Sequence, residues 1–253
     1  MQDVEIAITE MSRETLLEPL VPKLVASSIH IWQFPLTISN IPLSECAALL
    51  SEDERSRAAR FHFEKDARRF TVTRAAVRSI LGGSTRSSGH ELRFDYSHYG
   101  KPRLVNATTD IRFSVSHSGD WAMLAVALGH EVGVDLELMR ANVETDALAE
   151  RYFSERERVA LRELSNEERV PAFFRCWTCK EAFLKGQGFG LSRSLESFDV
   201  EVNPARPARL LATRPDAEEA KRWSLHDIPA EENYAAAVAW EGSITEIKVL
   251  RCG

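Results

Sequence analysis

Long apolar runs are missing from this sequence. No stretch of its 253 residues approaches the length of a membrane span, which speaks against a transmembrane helix. The opening residues, MQDVEIAITEMSRE, are acidic and lack the basic-then-apolar order of a secretory signal, so the cytoplasm is the expected location. Positive charge is in short supply. The 32 Lys and Arg against 38 Asp and Glu leave a net charge of -6, which argues against general nucleic-acid binding and leaves room only for a local basic patch. Cysteine is scarce too: Cys46, Cys176, Cys179 and Cys252 do not suggest a disulfide framework in a chain this long. Cys176-Trp177-Thr178-Cys179 has C-x-x-C spacing, but it lies inside a helical pattern and has no second pair. It therefore reads as small buried residues rather than a redox or metal motif. Gly186-Gln187-Gly188-Phe189-Gly190 follows a helix instead of a strand, so it ends that helix and is no dinucleotide fingerprint.

What remains is ordinary for a soluble globular protein, with 44% hydrophobic and 28% charged residues, enough for one large domain or two small ones. The most informative stretch is Val132-Gly133-Val134-Asp135-Leu136-Glu137-Leu138. Apolar residues at every second position predict a strand. Val132, Val134, Leu136 and Leu138 face a core. Asp135 and Glu137 share the other face, roughly 6.5–7 Å apart along the backbone. Gly133 is expected to leave open space beside them. Oxygen ligands without histidine or thiolate suit Mg²⁺ or Mn²⁺ rather than zinc. Taken alone, the stretch is equally well a strand with a wet face.

Along the chain, residues 1–26 read as an N-terminal extension that packs loosely. Ser28 to Leu36 predicts a strand, and a helix follows near Ser44–Leu50. Ser51-x-x-Glu54 has capping-box spacing and opens a charged helix through Phe61. A further helix runs from Asp66 to Leu81 and is ended by Gly82-Gly83. Eight Lys and Arg between Arg55 and Arg78 read as a solvated face, with a phosphate-binding patch as the functional alternative. Leu92–Tyr96 is a short strand, and Tyr99-Gly100-Lys101-Pro102 is a turn carrying one lysine. Ile111–His117 and Trp121–Leu128 form a hairpin. His117 at the strand end, beside the Ser116 hydroxyl, can bond within a turn or grip phosphate oxygens. No acid partner for a catalytic triad is identifiable. Ser154-x-x-Glu157 is a second capping box.

In the helical stretch Phe173 to Lys185, the residues Phe173, Trp177 and Leu184 make an apolar stripe, and Glu181 and Lys185 share a face. Those two are either an i,i+4 salt bridge or a third carboxylate and a lysine for developing negative charge. Ser197–Val202, Arg222–Asp227, Tyr234–Trp240 and Ile244–Leu250 read as strands. The hairpin ending in Ala235–Ala239 echoes Ala122–Ala127. The fold class expected is α+β, and the echo hints at two similar halves (27–130 and 131–253) with a cleft between them where ligands commonly bind.

Two signatures in order, Gly133-Val134-Asp135-Leu136-Glu137 and Trp177-Thr178-Cys179-Lys180-Glu181-Ala182-Phe183-Leu184-Lys185, resemble those of the Sfp-type 4′-phosphopantetheinyl transferases. Weaker matches are Gly100-Lys101-Pro102, Phe113–Ser118 and Phe153–Glu157. The resemblance spans about Ser51 to Trp240. It implies transfer of the phosphopantetheine arm of coenzyme A onto a serine of an apo carrier protein, with release of adenosine 3′,5′-bisphosphate. It further implies a pseudo-dimeric fold with coenzyme A and Mg²⁺ (or Mn²⁺) in the cleft of a monomer. By position, Asp135, Glu137 and Glu181 match the metal ligands, and Glu157 a further acid near the metal. Lys185 matches the residue facing the pyrophosphate, and Glu181, or a metal-bound water beside it, is the candidate base. Arg57, Lys101 with Pro102, Ser116 and His117 match contacts to the nucleotide. Glu54 departs from the family, where a basic residue helps hold the 3′-phosphate; Arg55 or Arg69 is placed to compensate. The competing readings are another Mg²⁺-dependent pyrophosphate-cleaving enzyme, a non-catalytic coenzyme A or carrier-binding module and, more distantly, nucleic-acid binding through the basic run. Fatty-acid, polyketide and nonribosomal-peptide carriers all stay open as substrates.

Overall fold

The structure is a computed structural model that describes residues 4–12, 16–37, 41–105, 107–140 and 143–252. Twelve strands are described: β1 (Glu5–Met11), β2 (Ser28–Pro35), β3 (Phe94–Tyr96), β4 (Pro102–Leu104), β5 (Ile111–Ser118), β6 (Trp121–Leu128), β7 (Val132–Leu138), β8 (Phe198–Val200), β9 (Leu210–Thr213), β10 (Trp223–Asp227), β11 (Tyr234–Glu241) and β12 (Glu246–Cys252). The α-helices are α1 (Leu43–Leu49), α2 (Glu52–Ala58), α3 (Glu64–Thr85), α4 (Thr145–Tyr152), α5 (Glu155–Arg162), α6 (Asn166–Gln187) and α7 (Glu219–Arg222). Among the described residues, no helix is long and apolar enough to cross a membrane.

Two sheets carry the architecture. One has the order β1-β12-β2-β6-β5 and the other β10-β11-β7. Strand alternation builds three cores from them. On β6, Ala122, Leu124 and Val126 enter the core with α3, while Met123, Ala125 and Ala127 enter a second core shared with Val134 and Leu136 of β7 and Val238 of β11. Ala237 and Ala239 of β11 turn the other way, onto Phe173 and Phe183 of α6. The result is helix, sheet, sheet, helix, with the apolar middle layer formed between the two sheets.

The two halves share a connectivity. A strand, a 22-residue helix and a hairpin occur in each: β2, α3 and β5–β6, then β7, α6 and β10–β11. In both, the first strand pairs antiparallel with the last strand of the hairpin. This matches the α+β expectation, with one difference at the C-terminus. Strand β12 crosses back to lie parallel to β2, inside the first half's sheet.

Three local expectations need correction. The first 26 residues are not merely a loose extension, because β1 pairs with β12 along its length and Leu16 is fully buried in the α3 core. Gly82-Gly83 does not end α3, which continues to Thr85 and stops where Arg86 adopts a left-handed conformation. Gly82 is needed for contact instead: a Cβ there would lie 2.8 Å from Ser87 O. The basic run is a solvated face only in its first part. Arg74 and Arg78 are buried, and both guanidinium groups close on the Glu54 carboxylate. Glu54 also accepts the Ser51 N–H at 3.0 Å, so one side chain caps α2 and clamps it to α3.

Candidate active site

The site forms where β5, β7 and α6 meet. Strands β5 and β7 belong to different sheets but run side by side in the same direction, and serine hydroxyls join them. Ser114 Oγ accepts Val134 N–H at 3.2 Å. Ser116 Oγ donates to Asp135 Oδ1 at 2.8 Å. Ser118 Oγ donates to Glu137 Oε2 at 2.8 Å and accepts Leu138 N–H at 3.1 Å. Three serines at every second position on β5 thus bond to β7 between Val134 and Leu138.

Gly133 sets the approach of α6. The space expected beside the carboxylates is filled: a Cβ at Gly133 would lie 2.0 Å from Ala182 O and 2.2 Å from Gly186 N. The helix backbone occupies the place of a side chain, as a glycine in a strand allows. That contact delivers Glu181 and Lys185 to the carboxylate face of β7. Lys185 Nζ lies 2.6 Å from Asp135 Oδ1 and donates to Ser116 Oγ at 2.8 Å. The i,i+4 placement with Glu181 therefore does not direct this lysine; its short ion pair crosses to β7.

Asp135, Glu137, Glu181 and Lys185 line an open groove of about 370 Å³ together with Ser116 and His117. Val115 and Trp177 complete its wall, Trp177 stacking on Phe173. Burial, and then the Asp135 charge, push the Glu137 carboxyl up. Burial followed by the Asp135 charge also pushes Glu181 up, with Glu137 adding to the effect. His117 is held below the ordinary imidazole range, first by lost solvation and then by the positive charges of Lys185 and Arg69. Ser116 donates to Asp135 and accepts from Lys185, so its hydroxyl is not held by His117. The acid partner absent from the sequence reading exists, yet no serine–histidine relay results.

The donor set fits a hard divalent cation. Asp135 Oδ2 is buried without a hydrogen-bond partner. Glu137 and Glu181 are ionised against burial first and then the repulsion of neighbouring carboxylates. A cation would satisfy the first and relieve the second. Among the described residues, no three potential ligands are gathered closely enough to chelate an ion as they stand, and Lys185 supplies the positive charge beside Asp135.

Other expected site residues lie elsewhere. Glu157 does not line the groove and is no candidate ligand. Its fully buried carboxylate pairs with Lys180 Nζ at 2.8 Å and accepts N–H bonds from Val200 and Ser154 at 2.8 and 2.9 Å. Both oxygens are committed to joining α5, α6 and β8. Lys101 Nζ is similarly committed, at 2.6 Å to Glu131 Oε2 and 2.5 Å to Gly186 O, so it fastens α6 to the start of β7. Its methylenes and Pro102 line an apolar recess of about 300 Å³ that shares Val115 and Lys185 with the groove. Arg69 bridges to Asp120 at 2.6 Å and acts on His117. Arg57 does not line the groove; it sits over the Phe70 ring at 5.2 Å. Ser118 and Val115 were not anticipated as site residues. The period-two serines of β5, matching the period-two carboxylates of β7, were the available signal for Ser118. Cys176 and Cys179 are fully buried with thiols pushed up by burial, in keeping with a packing role.

Known proteins similar to this chain share one family description. The family described as 4′-phosphopantetheinyl transferase superfamily matches residues 131–239, and the one described as 4′-phosphopantetheinyl transferase, N-terminal, matches residues 39–128. The chain is 39% identical to the 4′-phosphopantetheinyl transferase HetI of Nostoc sp. over 221 residues, covering 87% of this chain and 90% of the relative. It is 34% identical to a putative 4′-phosphopantetheinyl transferase of Synechocystis sp., covering 83% and 86%. It is 31% identical to the 4′-phosphopantetheinyl transferase Sfp of Bacillus subtilis, covering 62% and 68%.

Proposed function

The chain belongs to the 4′-phosphopantetheinyl transferase superfamily, and from that premise we propose how its groove carries out the transfer. The reaction moves the 4′-phosphopantetheine arm of coenzyme A onto a serine of an apo carrier protein. One P–O bond forms to the serine oxygen, the bridging P–O bond of the pyrophosphate breaks, and adenosine 3′,5′-bisphosphate leaves.

The observation that carries the assignment of roles is the convergence of Asp135, Glu137, Glu181 and Lys185 on the same groove as Ser116 and His117. Asp135, Glu137 and Glu181 are the residues that would hold Mg²⁺ or Mn²⁺. A bound divalent cation supplies positive charge against the pyrophosphate oxygens. Lys185 reaches the leaving phosphate from the same side, where negative charge builds as the bond breaks. Glu181 is the group placed to take the proton of the attacking serine. Ser116 holds Asp135 and Lys185 in place, His117 offers a ring N–H to phosphate oxygens, and Arg69 adds charge at that end. The apolar recess beside Pro102 suits the less polar parts of the nucleotide.

Both walls of the groove come from one chain, which supports a monomer. The test is a mass-spectrometric assay with coenzyme A, Mg²⁺ and a panel of apo carriers from fatty-acid, polyketide and nonribosomal-peptide systems. Mass gain on a carrier serine supports the reading, and its pattern across the panel identifies the carrier. Tight coenzyme A binding with no gain on any carrier would make the protein a binding module.

A further inference from the structure

The seam between β5 and β7 contains one hydroxyl that the proposed chemistry leaves unused. Ser118 Oγ accepts the Leu138 N–H at 3.1 Å and donates to Glu137 Oε2 at 2.8 Å. Its neighbours on the same face behave differently. Ser114 touches only backbone, accepting Val134 N–H, and Ser116 is shared between Lys185 and Asp135. Ser118 alone ties a carboxylate and the backbone of its strand to the same atom. A carboxylate on a half-buried strand end has free rotation about its side-chain bonds unless something holds it. A hydroxyl anchored to the next residue's amide can hold it, leaving Oε1 for another partner.

We infer that Ser118 is a positioning residue for Glu137, orienting its carboxylate toward a divalent cation across the seam between the two sheets. The inference rests on the reading of Asp135 and Glu137 as cation ligands. Groups that orient a ligand through a hydrogen bond act on metal affinity as well as on rate, and their loss typically costs about 10–100-fold.

The experiment titrates the full chain with Mn²⁺ alone and reads the free ion by electron paramagnetic resonance. Thermal melts alongside confirm that each variant is folded. Ser118→Ala should weaken Mn²⁺ binding by about 10-fold or more, while Ser118→Thr, which keeps the hydroxyl, restores it. Ser114→Ala, which loosens the same seam without touching a carboxylate, should leave the affinity near that of the wild type. Wild-type affinity in Ser118→Ala, with binding lost in Asp135→Ala, overturns the inference and leaves the cation site standing. Equal losses in Ser114→Ala and Ser118→Ala overturn it as well, since the seam alone would then matter. Unchanged binding in Asp135→Ala defeats the cation reading itself.

Discussion

Gly133 of β7 and Gly186 of α6 touch through their backbones: a Cβ on Gly133 would come within 2.2 Å of Gly186 N, and one on Gly186 would strike the Trp223 ring at 2.5 Å. The helix is thus wedged between strand β7 and Trp223, and its distance from β7 decides whether Glu181 and Lys185 reach the carboxylates. Gly133→Ala must push α6 outward, because the atoms it meets are helix backbone and cannot rotate away. The expected cost is about 3 kcal/mol, at the upper end for overpacking, with a matching fall in melting temperature and loss of transfer. Wild-type stability and transfer in this variant would contradict the account of the contact.

Removing a ligand should spare the fold. Asp135→Ala and Glu181→Ala are expected to lose carrier modification while keeping the native circular dichroism spectrum. Lys185→Ala should lower kcat by about 100-fold or more, the usual consequence of deleting one charge-stabilising donor. Transfer at wild-type rates in any of the three would remove that residue from its assigned role.

Mn²⁺ binding should begin to weaken, as pH falls, above the ordinary carboxylate range. Burial and neighbouring negative charge raise the Glu137 and Glu181 pKa values, so as pH falls both protonate before an exposed glutamate at about 4.3 would. A cation must displace those protons, so Mn²⁺ affinity falls from that higher point. The same shifts have the opposite effect on stability. A carboxyl whose pKa is raised by folding stabilises the native state below its unfolded pKa and loses that contribution as pH rises through the folded value. At neutral pH Glu181 therefore opposes folding, and Glu181→Gln should melt at a higher temperature than wild type while transferring nothing.

His30 predicts a separate acid sensitivity. It is buried on β2, its pKa lowered to about 4, first by desolvation and then by Lys248 on the adjacent strand. The unfolded chain takes up this proton near pH 6.5 and the native state resists until about pH 4. The stability contribution is complete above about pH 6.5 and is lost as pH falls through that window, amounting to about 3 kcal/mol. Denaturant unfolding of wild type and His30→Leu across pH 4 to 7 checks this; the substitution should flatten the slope.

Glu54 anchors two buried cations, with Arg78 Nε at 2.5 Å and Arg74 Nε at 2.6 Å. Glu54→Gln leaves two guanidinium groups without their counter-charge, which should cost about 3–5 kcal/mol. Arg74 and Arg78 are spent on Glu54, whereas Arg55 and Arg57 of the same run are exposed.

Much of this was legible along the chain. Strand periodicity located β5, β6, β7 and β11 to within a residue or so, and capping boxes marked the starts of α2 and α5. The carboxylates of β7 and the Glu181–Lys185 pair were identifiable from spacing and motif. Other features were hidden because they depend on partners distant in sequence. Nothing local distinguishes Glu157 in a capping box from a ligand until Lys180 is seen to close on it. Nothing local says that Arg74 and Arg78 are inside while Arg55 and Arg57 are outside. The strand β1 escaped notice because its exposed, mixed-polarity residues gain order only by pairing with β12, more than two hundred residues away.

The sequence by itself determined which residues carry hard oxygen ligands and charge, and which strands and helices present them, because periodicity and capping are local properties. Tertiary structure decided which of those groups share a groove. Helix α6 lies against Gly133, and serine hydroxyls join the edges of two sheets. Both depend on backbone distances between separate elements, which no periodicity along one chain encodes.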